Sequence, residues 1–240
     1  MELLAIYILL EKEKIGIAKE AKNMKTTIYL IRHSEAIKTN NVEFELLDKL
    51  DDTKQSQIKN EKIPLSQKGE EKAEKLSNMQ ELKRIDKIYS SNYERAIQTA
   101  KYIALKNHLN INIDARLGER KLGDLKELEK LGQNKKNDYT TEQLLDENLK
   151  NKDGESAKEV RKRMVEIIEE IVEKHAGENI AVVSHGAAIK YLLQKYCKYN
   201  HESKTIYYNG REICSVKLEA PSVLKMEYEG KVLVAIEKVT

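Results

Sequence analysis

Tryptophan is absent from this 240-residue chain, phenylalanine occurs once, and proline and cysteine occur twice each. With so few large aromatics, the core must be mostly aliphatic, with the 12 tyrosines supplying aromatic bulk. The two thiols, Cys197 and Cys214, are far apart and match no metal-ligand spacing. So few cysteines in a chain of this size argue against a disulfide framework, and free thiols in a reducing, cytoplasmic setting are expected. No Gly/Ser/Pro-rich linker or repeat divides the chain. No dense basic block occurs among the 43 Lys and Arg and 40 Asp and Glu, so no nucleic-acid partner is expected. No apolar run is long enough to span a bilayer. Leu3–Leu10 is the nearest, and it has neither a preceding basic residue nor a following small-residue cleavage site, so no membrane association is expected. Oligomeric state is left open.

What is present is 40% hydrophobic and 35% charged, the balance of a globular chain with a heavily charged surface. Residues 1–23 read as an extension, either an appended helix or upstream translation with Met24 the true start; residues 24–240 read as one domain. Thr27–Ile31, Ile85–Ser90 and Ile180–Ser184 have the β-branched, apolar character of strands buried on both faces. Between them, Ser66–Met79, Tyr93–Lys106 and Ser156–Lys174 carry apolar residues at helical spacing. Alternating strands and helices predict an α/β three-layer sandwich: a mainly parallel central sheet flanked by helices. Ser222–Glu227 and Lys231–Val239 alternate around Glu229-Gly230, predicting a C-terminal β-hairpin. Asn40–Pro64 is polar and reads as a long excursion over the sheet's carboxyl edge.

Two of the strand patterns run into histidine: Ile28-Tyr29-Leu30-Ile31-Arg32-His33, and Ile180 through Val183, Ser184, His185 and Gly186. Ligands of open α/β sheets bind beyond the carboxyl ends of strands, and a helix beginning there directs free N–H groups at an anion. The helical Ala187–Lys195 follows the second histidine, so both rings could face one phosphate. A lone histidine is more often a surface or satisfied core residue. Arg32, however, is costly at a strand end unless an anion offsets it. Arg95 opens the helix after the middle strand, near the same edge; an ion pair with Glu94 or Glu71 is its ordinary alternative.

These segments resemble the histidine phosphatase superfamily, the group of cofactor-dependent phosphoglycerate mutases and many small-molecule phosphatases. Arg32-His33-Ser34-Glu35 resembles the Arg-His-Gly-Glu signature, with Ser34 in place of Gly, and Pro64-Leu65-Ser66-Gln67-Lys68-Gly69 the Pro-Leu-Thr-x-x-Gly start of a helix. Ser90-Ser91 through Ala100 is similar to Ser-Ser-x-x-x-Arg-Ala-x-Gln-Thr-Ala. Leu117-Gly118-Glu119-Arg120 resembles the acid-bearing segment, Gly154-Glu155-Ser156 a common helix start, and Ser184-His185-Gly186 the second-histidine motif.

The resemblance implies that His33 attacks phosphorus, with its other nitrogen bonded to a backbone carbonyl. It implies that Arg32 and Arg95 clamp phosphate oxygens, joined by His185 if protonated and by Gly186. Glu119 is the implied general acid, although an exposed loop glutamate paired with Arg120 or Lys121 is its ordinary reading. Ser34 is small enough for close phosphate approach and has a hydroxyl to donate. Thr39 stands where the family often has Asn, and Asn40 beside it is a candidate phosphate contact. His108, His175 and His201 match no motif and read as surface or structural. No metal and no cofactor are implied.

The expected activity is hydrolysis of a small phosphorylated metabolite through a phosphohistidine. The longer mutase patterns are missing: Lys38-Thr39-Asn40 and Glu119-Arg120-Lys121-Leu122-Gly123 stand in their places. A phosphoglycerate mutase is the alternative. A non-catalytic phospho-ligand-binding module is a third reading, opposed by the intact set of Arg32, His33, Arg95, Glu119 and His185. The substrate depends on side chains from Asn40–Pro64 and Gly123–Asp153 that sequence cannot place.

Overall fold

The computed structural model describes residues 24–37, 53–123, 146–200 and 202–240. The extension expected at 1–23, Thr39, the candidate contact Asn40, and His201 lie outside the described residues.

In chain order the elements are β1 (Lys25–Arg32), α1 (Thr53–Lys62), α2 (Gln67–Ser77), β2 (Lys87–Ser90), α3 (Glu94–Asn107) and β3 (Ile111–Ile113). They continue with α4 (Ala157–Lys174), β4 (Asn179–Ser184), α5 (Gly186–Leu193), β5 (Lys198–Asn200), β6 (Thr205–Tyr208), β7 (Arg211–Ser215), β8 (Ser222–Glu229) and β9 (Val232–Lys238). The central sheet has the order β3-β2-β4-β1-β8-β9. β3, β2, β4 and β1 run parallel, while β8 and β9 form the expected hairpin and extend the sheet antiparallel to β1.

Alternation along the two central strands makes two cores. Ile28 and Leu30 of β1, with Ile180 and Val182 of β4, pack against Met164, Ile168 and Ile171 of α4 and Ile189 and Leu192 of α5. Tyr29 and Ile31, with Ala181 and Val183, face Leu76 of α2 and Ala96, Ala100 and Ile103 of α3. Both faces are covered, which is why these strands read as near-continuous apolar runs. Removing a side chain such as Ile168 fully from water stabilises the fold by about 1.5–3 kcal/mol. Helix starts are fixed locally: Ser66 accepts from Gly69 N at 3.0 Å, and Ser156 with Glu159 closes a capping box on α4.

Two features depart from the sequence expectation. Residues 53–62, within the stretch read as a polar excursion, form α1. This helix is held by polar contacts, Gln57 Nε2 to Tyr93 Oη at 2.7 Å and Asn92 Nδ2 to Glu61 at 3.3 Å, so it has no apolar stripe to read. Strands β5–β7 form a separate small antiparallel sheet after α5.

Candidate active site

β1 and β4 are adjacent and parallel, with Arg32 in register with Ser184, so the residues that follow them emerge side by side. His33 N donates to Ser184 O at 2.9 Å, locking the two ends together. The rings of His33 and His185 lie 4.9 Å apart between centroids, as their strand-end positions led us to expect.

His33 is buried, and its Nδ1 lies 2.6 Å from its neighbour Ser34's carbonyl oxygen. A carbonyl only accepts, so Nδ1 carries the proton and Nε2 has a free lone pair. Arg95 Nε donates to that Nε2 at 3.1 Å. Burial first, then Arg95, pushes His33 down to about 3, outweighing the opposing bond to Ser34. The ring is therefore neutral at physiological pH.

His185 is fully buried at the start of α5. Ser91 Oγ accepts from Tyr93 N at 3.3 Å and lies 2.7 Å from His185 Nε2, a bond whose proton sits on the hydroxyl or on Nε2 according to the ring's tautomer. Burial, followed by His33 and Arg95, holds His185 well below its ordinary value. The cationic His185 that the sequence allowed for is thus absent without an anion, because burial and the two nearby guanidinium groups oppose a third cation there.

Arg95 is buried, donates Nη1 to Asn60 O at 2.6 Å and stacks its guanidinium 4.7 Å from the Tyr93 ring centroid. Among the described residues it makes neither of the ion pairs, with Glu94 or Glu71, that would be its ordinary role. Arg32 donates Nη1 to the Leu218 carbonyl, while its buried Nε and the buried His185 Nδ1 have no hydrogen-bond partner among the described residues. Unsatisfied buried polar atoms cost roughly 1–3 kcal/mol each, and an anion beside a donor such as Arg32 Nε removes that penalty. Gly186 lies against Arg32: a Cβ there would stand 3.4 Å from the guanidinium carbon.

Glu119 faces the same cluster, and its charge opposes the burial that lowers Arg32 and Arg95. Its carboxylate accepts from Ala187 N at 3.3 Å and Ala188 N at 3.1 Å. This corrects one expectation. These amides at the start of α5, expected to point at phosphate, are spent on Glu119. Ser34 requires a second correction. Its hydroxyl donates to Gly69 O at 2.7 Å, because the close approach of α2 captures it, and that donor is spent within the fold.

Other motif residues hold this geometry. Thr99 Oγ1 accepts from Ser34 N at 3.0 Å, and Gln98 Oε1 accepts from Leu65 N at 2.7 Å. Gly69 is required because a Cβ there would lie 1.9 Å from Glu35 O. Tyr93, Ser91, Asn60 and Arg163 were not singled out from the sequence; the Ser90-Ser91 repetition at a strand end was the available signal for one of them. His175 is structural, bonded to Tyr89 Oη at 2.9 Å and Glu178 at 2.9 Å, and His108 ends α3 in a left-handed conformation. Among the described residues no group of three or more His, Cys, Asp or Glu could hold a metal ion, and no helix is long and apolar enough to cross a membrane.

A three-layer α/β fold thus brings two histidines and two arginines together at one edge of its parallel sheet. Residues 28–225 match the histidine phosphatase superfamily (branch 1), and the chain belongs to that family. It is 33% identical over 136 residues to phosphoglycerate mutase-like protein 4 of Arabidopsis thaliana, a match covering 54% of this chain and 56% of that protein. The chain thus spans little more than half the length of this relative. By fold it is similar to phosphoglycerate mutase from Bacillus anthracis str. Sterne, with 22% identity, a TM-score of 0.59, and 92% and 95% of the two chains covered. It is also similar to mycobacterial glucosyl-3-phosphoglycerate phosphatase, with 17% identity, a TM-score of 0.57, and 90% and 98% covered.

Proposed function

We propose that the protein, a single domain from residue 24 onward, hydrolyses small-molecule phosphate monoesters through a phosphohistidine on His33, with no metal and no cofactor. The observation that carries this reading is the state of His33. Its Nε2 is unprotonated, fixed by the Nδ1 bond to Ser34 O at 2.6 Å, and surrounded by Arg32, Arg95 and His185.

In this reading an incoming phosphate dianion draws Arg95 off Nε2 onto its own oxygens. Arg32 Nε gains an acceptor it lacks among the described residues, and His185 offers Nδ1 in its Nδ1–H form. Nε2 then attacks phosphorus as the P–O bond to the leaving group breaks, while Glu119 gives that oxygen its proton. Glu119, now a carboxylate, takes a proton from water, whose oxygen attacks phosphorus and releases His33 and inorganic phosphate. Asn40 is proposed as a further phosphate contact. Burial pushes the Cys197 and Cys214 thiols up, to about 12 and about 11, which suits inert thiols in the cytoplasm.

The resemblance to a phosphoglycerate mutase-like protein supports a second reading, transfer between positions of phosphoglycerate. Phosphate release from a panel of sugar phosphates, phosphoglycerates, nucleotides and phosphoamino acids, with chelator present, tests hydrolysis. Isomerisation of 3-phosphoglycerate, primed with bisphosphoglycerate and outpacing phosphate release, would replace it with the mutase reading. A folded protein that does neither is a binding module.

A further inference from the structure

Glu119 lies in an irregular stretch after a short 3-10 turn at Ala115–Leu117, where no sheet or helix ladder supplies partners for its carbonyl groups. Side chains do: Ser184 Oγ donates to Leu117 O at 2.7 Å, and a single arginine serves three further carbonyls. Arg163, on the flank of α4, donates Nη1 to Arg116 O at 2.6 Å and to Gly118 O at 2.9 Å, and Nη2 to Glu119 O at 3.2 Å. Its remaining two N–H groups go to Glu155, Nε to Oε1 at 2.7 Å and Nη2 to Oε2 at 2.9 Å. All five guanidinium donors are thereby used.

Glu155 in turn secures the far side of Glu119. Its Oε2 accepts from Lys121 N at 2.9 Å, its carbonyl accepts from Arg120 Nε at 2.7 Å, and its own N donates to Lys121 O at 2.8 Å. The main chain from 116 to 121 is therefore gripped on both sides of Glu119 by one ion pair whose side chains are only 17% and 18% exposed. The Glu119 carboxylate is then aimed by three amides: Arg120 N at 2.9 Å, from the gripped segment itself, and Ala187 N and Ala188 N of α5. A substitution of Arg163 releases three carbonyls and one carboxylate at once.

We propose that Arg163 is a positioning residue for the proton-transfer step: its five-donor fork, backed by Glu155, sets where Glu119 meets the leaving-group oxygen. This rests on reading Glu119 as the general acid. Burial pushes the Glu155 carboxyl up, but the bonds from Arg163 and Lys121 outweigh it and keep it below the usual carboxylate range, consistent with a paired Glu155 across the working pH. Lysine does not replace this arrangement, since a single ammonium with three donors cannot reach three carbonyls and a bidentate carboxylate together.

The test compares kcat/KM for 4-nitrophenyl phosphate, whose leaving group needs no proton, and benzyl phosphate, whose alkoxide does. Arg163→Gln is expected to lose about 10-fold more on benzyl phosphate than on 4-nitrophenyl phosphate, the selectivity expected of a displaced acid. Glu119→Gln should show the same selectivity, and Glu119→Gln/Arg163→Gln no greater selectivity than Glu119→Gln alone. If Arg163→Gln does not fold, Arg163→Lys carries the comparison, with the selective loss again expected. Equal losses on both esters, or selectivities that multiply in the double variant, would overturn the positioning role. A wild-type protein inactive on both esters sinks the phosphatase reading with it. Unselective loss in Glu119→Gln removes the acid assignment itself, whatever Arg163 does.

Discussion

Arg95 Nε donates to His33 Nε2 at 3.1 Å, so the nitrogen proposed to attack phosphorus is held by the cation proposed to bind the phosphate. The bond keeps His33 deprotonated and aimed. It must also break before chemistry, because one lone pair cannot serve both Arg95 and phosphorus. Substrate binding and exposure of the nucleophile are thus one event, and a small anion that draws Arg95 away should bare Nε2.

The depressed His33 basicity has a defined consequence for pH. With His33 held down to about 3 by burial and then Arg95, the native protein refuses a proton that the unfolded chain accepts near 6.5. His33 therefore contributes stability that is complete above that ordinary value and is lost as pH falls toward about 3. His185, also lowered, acts in the same direction. The urea midpoint should drop between about pH 7 and pH 4, and the His33 ring resonances should stay flat from about pH 8 to pH 5. A His33 midpoint near its ordinary value would contradict the buried, arginine-flanked ring.

Arg95→Met should separate the two roles of that side chain. His33 is expected to shift up toward its ordinary value as the neighbouring charge disappears. Turnover should fall by about 100-fold or more, the scale for losing one transition-state donor. Unchanged turnover would remove Arg95 from the site.

Much of this arrangement was legible in the residues themselves. The apolar runs ending at Arg32-His33 and Ser184-His185 located the sheet centre and its active edge, because strands covered on both faces must read that way. The α4 stripe, Val160 through Ile171, was equally plain. Other features depended on partners distant in sequence. α1 gives no periodic signal because it is held by Gln57, Asn60 and Glu61 through hydrogen bonds rather than by an apolar face. The ownership of the α5 amides by Glu119, and of the Ser34 hydroxyl by Gly69, was hidden because each joins segments that only the folded chain brings together. Arg163 looked like any other charge on a helix flank.

Ser34→Gly should test the second of those contacts. The hydroxyl's proton is spent on Gly69 O, so its loss should cost about 1 kcal/mol of stability with little change in kcat. The check is a denaturant midpoint beside a turnover assay. A large fall in kcat at unchanged stability would place the hydroxyl on the substrate instead.

Gly69→Ala should be far worse. The added methyl would lie 1.9 Å from Glu35 O, so α2 and the Arg32–Glu35 segment must separate. A loss of about 3 kcal/mol or more is expected, together with most of the activity. Thermal unfolding read alongside turnover decides it, and a variant of unchanged melting temperature would contradict the close approach.

The central claim, that His33 Nε2 becomes covalently phosphorylated, is tested most directly by rapid mixing with a turned-over phosphate ester, an alkaline quench, and peptide mass spectrometry. An acid-labile, alkali-stable phosphoryl group on His33 is expected, absent from His33→Ala and accumulating in Glu119→Gln, where attack by water is slowed. Multiple-turnover hydrolysis with no phosphoryl group on His33 at any time point, or hydrolysis retained in His33→Ala, would contradict the account.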